Sequence, residues 1–338
     1  MSGYEHVMVC LDDLERDGGM LVHLRDLLRA FHAKTVELVH VNEKHWRILS
    51  APGYAAEFRM RAPSVPSGDI EREQREDLFR LEELGQKYLA EIPQCKVGYH
   101  AISGSPLVEI LTLANELNVD LMVVGRRFGQ RAEQGDKALL ARRIARRSHC
   151  SVLTLPQDRF SAVKRILVPC RDSSCSQRAL ETALEIARET RAFVEVLNVY
   201  SVFTGHGTMA SNYRVPDSTF RKEAEEECRR LIERVDTRGV ELAAMCVEDR
   251  GFEPVSLILS RRAYFGADLI VIGARGRTGA AGVLLGTVTQ QLMKTSPVPL
   301  LAVKQKGECI GLFEALLDIW GIGAERPGKE DRPQSEGT

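Results

Sequence analysis

The chain has 338 residues, 44% hydrophobic and 28% charged, with 46 Lys and Arg against 47 Asp and Glu for a formal net charge of -1. That length allows two domains, each able to bury its own core, and so even a balance excludes a global electrostatic pull toward nucleic acid or a membrane surface. Eight scattered cysteines, with no C-x-x-C pair and no His at zinc-ligand spacing, argue for reduced thiols rather than a disulfide frame or metal site.

In chain order, HVMVCLD (6–12) is the first strand and ends in Asp12. Acidic residues appear too early around it for a signal peptide, and no apolar run approaches a membrane span, so the cytoplasm is the expected compartment. HWRILSAPGYAAEFRMRAPSVPSGD (45–69) reads as an insertion, either a lid or partner loop or a plain connection after the second strand. NVDLMVVG (118–125) is another strand, and Arg126, Arg127 and Arg131 follow it. ARRIARR (141–147) puts Arg142, Arg143, Arg146 and Arg147 on one helical face, which favours a solvated surface over an anion patch. SHCSVLTL (148–155) closes this half, and PQDRFSAVK separates it from the next.

The second half alternates in the same way. KRILVPC (164–170) is a strand, and SQRALETALEIARET is a helix with Ala179, Leu180, Ala183, Leu184 and Ala187 on one face. AFVEVLNVY follows as a strand; a long connection with His206 as an ordinary loop residue then leads to STFRKEAEEECRRLIERVDTRG, a helix closed by Gly239 whose KEAEEEC acids read as solvated. VELAAMCVE, PVSLILSRRAYFG, ADLIVIG, a glycine-rich loop with its helix, and PVPLLAV complete the alternation. Beyond Lys306, Cys309, Leu312, Phe313, Leu316, Leu317 and Trp320 recur at helical spacing, giving a tail helix whose stripe favours core cover over a partner-binding face, followed by a disordered end.

The halves are copies of one another. NVDLMVVG matches GADLIVIG 148 residues later, the same offset carries SHCSVLTL onto SPVPLLAV, and HVMVCLD matches RILVPCR at an offset of 159. A repeat this long is a domain duplication. The expected fold class is α/β: two tandem doubly wound, Rossmann-like domains, each a five-stranded parallel sheet with helices on both faces. The boundaries fall at 1–158, 163–305 and 306–338. The apolar edge strands around SVLTL and VPLLAV need cover, which predicts that the two domains meet there as an intramolecular pseudo-dimer.

The loop GARGRTGAAGVLLGT places five glycines in the fourteen positions from Gly273 to Gly286. Gly273 ends a strand, where ligands of doubly wound sheets bind and where a glycine lets a ligand approach closely. Gly276 permits a turn that gathers amides, and Gly286 with Thr287 opens a helix whose free N–H groups favour an anion. The hydroxyls of Thr287 and Thr289 add donors. Gly279 and Gly282 serve the turn itself. Neither G-x-x-x-x-G-K-[ST] nor G-x-G-x-x-G after a first strand is present, so chemistry by itself leaves a phosphate cradle and a plain flexible loop both open.

The spacing Gly273-x2-Gly276-x9-Gly286-Thr287 resembles the ATP-binding motif of the universal stress protein family, and the likeness covers about residues 4 to 305 as a tandem two-domain member. That resemblance implies ATP, with or without Mg2+, in the second copy. Its contacts would be Pro169, Cys170, Val199, Ile272, Gly273, Arg275 and Gly276, with Gly286, Thr287, Val288 and Thr289 taking phosphate and ribose. Where the family's first strand ends in an Asp, this chain has Arg171 followed by Asp172. Either Asp172 substitutes or Arg171 stacks on the base. The first copy keeps Asp12 and Gly125 but has Phe128, Ala138 and Leu139 in place of Gly276, Gly286 and Thr287, and is expected to bind no ATP in this manner. The resemblance further implies a cytoplasmic stress-response or nucleotide-sensing protein with an unknown protein partner and with no catalytic residues. The alternatives are an interaction scaffold with a vestigial loop and a slow ATPase or autophosphorylating protein, for which Asp172 is the nearest acid, base or magnesium ligand. The chain could also pair with a second copy of itself.

Overall fold

The computed structural model describes residues 3–43, 67–92, 94–126, 137–156, 162–201, 217–275 and 285–304. Most of the 45–69 insertion, His206, Gly276 and the tail beyond Lys304 lie outside these residues. The insertion's last three positions belong instead to a helix.

The first half runs β1 (His6–Leu11), α1 (Gly18–Ala30), β2 (Thr35–Asn42), α2 (Ser67–Leu89), β3 (Lys96–Ser103), α3 (Pro106–Glu116), β4 (Leu121–Arg126), α4 (Lys137–Arg147) and β5 (Ser151–Pro156). The second runs β6 (Arg165–Cys170), α5 (Ser174–Thr190), β7 (Phe193–Ser201), α6 (Asp217–Glu233), β8 (Leu242–Asp249), α7 (Pro254–Phe265), β9 (Leu269–Gly273), α8 (Thr287–Thr295) and β10 (Leu300–Val303). Short β-branched and leucine runs make the strands because both faces are covered, so hydrophobicity need not alternate. In β1, Val7, Val9 and Leu11 enter one core layer while Met8 and Cys10 enter the other. The helix expected to close at Gly239 ends earlier, at Glu233. Gly239, with a φ of 76°, sits in the turn before β8, where Arg188 donates to the Asp236 and Arg238 carbonyls and holds the chain off a helical path.

The strands form one sheet in the order β3-β2-β1-β4-β5-β10-β9-β6-β7-β8. Within each half every pairing is parallel, and the strand order reverses between β1 and β4 and again between β6 and β9. The two edges that sequence predicted to meet do so: β5 and β10 pair antiparallel, with Thr154 opposite Leu300, Leu153 opposite Leu301 and Val152 opposite Ala302. Two five-stranded sheets thus become one of ten strands.

Both core layers cross this seam. One contains Val9, Leu153, Leu301 and Val168; the other contains Met8, Val152, Leu300 and Leu167. On one face α1 packs on α5, with His32 3.3 Å from Glu189, and on the other α4 packs on α8. With Ala141, Ile144 and Ala145 buried, Arg143 and Arg146 are exposed as the solvated-face reading of α4 expects, whereas Arg142 and Arg147 are half-buried, so that reading holds for two of the four arginines.

Polar groups at the seam are satisfied in a repeated pattern. Ser148 donates to the Cys150 carbonyl at 2.9 Å, and its counterpart Ser296 donates to the Val298 carbonyl at 2.8 Å. Lys304 is 8% exposed, and its ammonium donates to the Ser148 carbonyl at 2.7 Å and hydroxyl at 3.2 Å. A buried ammonium is tolerated when its donors are met in this way. Tyr4 donates to Ser151 at 3.0 Å, and burial pushes its phenol up to about 12.

Leu301 is fully buried at the centre of the inter-half ladder. Leu301→Ala should therefore cost about 2 to 5 kcal/mol in denaturant unfolding, the usual range for emptying a core leucine. A loss below about 1 kcal/mol would mean that the seam relaxes at little cost, or that it is not a packed core.

Candidate functional site

The second-half crevice opens where β6 and β9 end. Their ladder pairs Ile166 with Leu269 and Leu167 with Ile270. Pro169, buried two residues on, has no N–H to extend it. In the first half the corresponding β1–β4 ladder continues to Cys10 opposite Val124. A reversal of strand order with the strands parting beyond it is where doubly wound sheets hold ligands.

Gly273 closes β9, and its backbone is buried. A Cβ there would lie 2.8 Å from the Cys175 carbonyl oxygen and 2.9 Å from its carbon. The glycine is thus required first by the chain's own α5, which crosses against the end of β9; ligand approach, the reason given from sequence, is not what fills that direction. The loop then returns to its starting point: the Gly286 amide donates to the Ala274 carbonyl at 2.7 Å and the Thr289 hydroxyl to the Gly273 carbonyl at 3.1 Å. Thr289 is 3% exposed, so its hydroxyl proton is spent on pinning the loop ends together.

Gly286 is the N-cap of α8, in an extended conformation at φ -67° and ψ 150°, so the expected helix opening at Gly286 and Thr287 is observed. The first intrahelical N–H is that of Gln290, bonded to the Gly286 carbonyl at 2.9 Å. The amides of Thr287, Val288 and Thr289 precede that ladder, at the positive end of the helix. Thr287 is exposed, Val288 and Arg275 are half-buried, and Ile272 is buried in the layer beneath.

Cys170 ends β6 and is 7% exposed. Arg171 turns across the end of β7: its Nη1 donates to the Val199 carbonyl at 2.9 Å and its Nε lies 3.6 Å from Glu227. Asp172 points the other way, accepting from Arg234 Nη1 at 2.7 Å with Arg230 Nε at 3.7 Å. Of the two sequence readings, this geometry puts Arg171 over the crevice and ties Asp172 to α6. Ser173 caps α5 by accepting from the Ser176 amide at 3.2 Å.

Sequence reading missed Glu227. Assigned to a solvated helix face, its carboxylate is 14% exposed and accepts from Asn198 Nδ2 at 3.0 Å while facing Arg171. Helical periodicity put it on the charged side of α6; which strand end that side would lean over was not in the pattern. Gly276 lies outside the described residues.

In the first half, the ends of β1 and β2 with the facing side of α2 correspond to the Arg171, Val199 and Glu227 end of the second-half crevice. A cavity of about 350 Å3 there is lined by Asp12, Asp13, Glu15, Glu43 and Asp77, with His40 and Arg80.

Thr289→Val removes a buried donor and orphans the Gly273 carbonyl, so it should destabilise the protein by about 1 to 3 kcal/mol. Gly273→Ala should destabilise it comparably, through overpacking against the Cys175 backbone. Denaturant midpoints measure both; a neutral Gly273→Ala would show that α5 does not press on β9.

Comparison with known proteins matches two stretches, residues 3–156 and 162–304, to the model of the universal stress protein family. A universal stress protein of Methanocaldococcus jannaschii is 29% identical over 143 residues, 42% of this chain and 82% of that protein. Universal stress protein YxiE of Bacillus subtilis is 29% identical over 147 residues, 41% of this chain and 98% of that protein. Among solved structures, a universal stress protein from Archaeoglobus fulgidus aligns with TM-score 0.61 at 20% identity, covering 88% of this chain and 98% of that one. A protein of unknown function from Pseudomonas aeruginosa PAO1 aligns with TM-score 0.58 at 16% identity, covering 93% and 98%. At such identities the structural likeness speaks for the fold.

Proposed function

This chain belongs to the universal stress protein family, and from that premise we propose that its second half binds ATP while its first half does not, as a nucleotide-responsive cytoplasmic stress protein without catalytic chemistry. The observation that carries this reading is the opening of α8 beside the parted ends of β6 and β9. Three helix amides outside the ladder, with the Thr287 hydroxyl, can take phosphate oxygens there. Arg275 lies at the base of the same loop, positioned to add charge. Gly273 and Thr289 act indirectly, by fixing where the loop begins and ends.

The residues fit ATP well at the phosphate end and require one rearrangement at the base end. Pro169, Cys170, Val199 and Ile272 offer a mainly apolar floor, and the Val199 carbonyl is an acceptor for an exocyclic amine. Arg171 Nη1 already donates to that carbonyl, so Arg171 has to swing away or lay its guanidinium on the ring. Asp172, paired with Arg230 and Arg234, is a weak candidate for magnesium or for activating water, which supports binding over hydrolysis. Among the described residues no helix is long and apolar enough to cross a membrane.

A ligand that binds the folded state at 100 times its Kd adds about 2.7 kcal/mol of stability. Thermal unfolding should therefore shift upward with ATP in the wild type and in an Ala138, Leu139 double variant, and should not shift in Gly286→Val with Thr287→Val. A shift that survives the second pair, or disappears with the first, would contradict the assignment. Arg171→Ala should release the Val199 carbonyl and enlarge the ATP response relative to that with GTP, measured the same way.

A further inference from the structure

Beneath the floor of the second-half crevice lies a cluster of three cysteines from three elements. Cys170 of β6 stands opposite Asn198 of β7, and Asn198 stands opposite Cys246 of β8, so the three form one row across adjacent strands. Asn198 shares the strand parity of Val194 and Val196, and the row faces the core layer that contains Cys170 and Cys228. Cys228, on α6, is 1% exposed; it follows Glu227 and stands one turn beyond Ala224, the two α6 residues that take the Asn198 amide, and so lies over this row. Cys170 is 7% exposed, whereas Cys246, on the outermost strand, is half-buried and nearest to solvent. The fully buried Asn198 gives its Nδ2 to Glu227 and to the Ala224 carbonyl, and its Oδ1 has no hydrogen-bond partner among the described residues. That acceptor beside the sulfurs suits a small hydrogen-bond donor such as a hydroperoxide. The equivalent row in the first half is Leu11, His40 and Ala101, with no thiol.

We propose that Cys228 and Cys246 form a reversible disulfide on exposure to peroxide, so that the floor of the second-half crevice is an oxidant-responsive thiol pair. The neighbouring Cys170 and Cys246 sulfhydryls hold the Cys228 thiol below its ordinary value, whereas burial pushes Cys246 up to about 12. Cys228 is accordingly the nucleophile. Its thiolate attacks a peroxide oxygen; the O–O bond breaks, and the departing oxygen leaves as water or alcohol with a proton. The Cys246 sulfur then attacks the Cys228 sulfenic acid; the S–O bond breaks, the S–S bond forms, and the hydroxyl leaves as water with the Cys246 proton. Two thiols are oxidised by two electrons and one peroxide is reduced. The bond ties α6 to β8 beside Glu227, the residue that faces Arg171. The disulfide forms whether or not a nucleotide is bound.

The test is peptide mapping of the full chain after hydrogen peroxide and alkylation, with and without dithiothreitol. The expected product is a Cys228–Cys246 crosslink two hydrogen masses light, reversed by dithiothreitol, retained in Cys170→Ser and absent in Cys246→Ser. Slowed amide exchange across α6 and β8 should accompany it. Full alkylation of all three thiols after peroxide, or a crosslink between Cys170 and Cys228 instead, would overturn the proposal, and the wild-type map decides between these outcomes even if a variant fails to fold.

Discussion

Two strands buried on both faces but open along one edge set the terms for the rest of this molecule. β5 has all six residues buried and β10 all four, and an apolar strand with free backbone donors and acceptors is not stable against water. Pairing them with each other closes both edges at once. Because they run antiparallel, the second half is turned about the seam, and both core layers continue across it. The crevices at β1/β4 and β6/β9 then fall on either side of this seam, each built by the same reversal of strand order.

A shared skeleton has been filled in two ways. β2 and β7 each carry a buried glutamate at equivalent positions, Glu37 and Glu195. Glu37 accepts from His6 at 3.1 Å and His100 at 2.8 Å, whereas Glu195 takes Arg261 Nε at 2.7 Å. The strand ends diverge further: carboxylates line the cavity at the ends of β1 and β2, whereas Arg171 lies across the end of β7. Duplication keeps the strands, whose packing fails if changed, and frees the strand ends, where few core contacts are at stake.

The parts of this arrangement legible in the sequence are those that local chemistry fixes. The alternation of strands and helices, the helix opening at Gly286 and the apolar character of the SVLTL and VPLLAV edges follow from residues close together in the chain, and the need of those two edges for cover is what made their meeting legible. What was not legible depends on contacts between distant segments. Gly273 looked like a place for a ligand, and the backbone of Cys175 fills its Cβ direction instead. Glu227 looked solvated because periodicity reports a helix face but not its neighbour. Arg171 and Asp172 could not be ranked until α6 was in place to claim Asp172. The row of Cys170, Asn198 and Cys246 exists through strand register alone, which no motif records.

The asymmetry we propose, in which the second-half crevice would take a nucleotide and the first-half crevice would not, predicts a ligand count. Native mass spectrometry of the full chain titrated with ATP counts ligands per chain directly. Saturation at one ATP per chain, abolished by Gly286→Val with Thr287→Val, is the predicted result. Two ATP per chain, none at all in folded protein, or one that persists in that variant would contradict it.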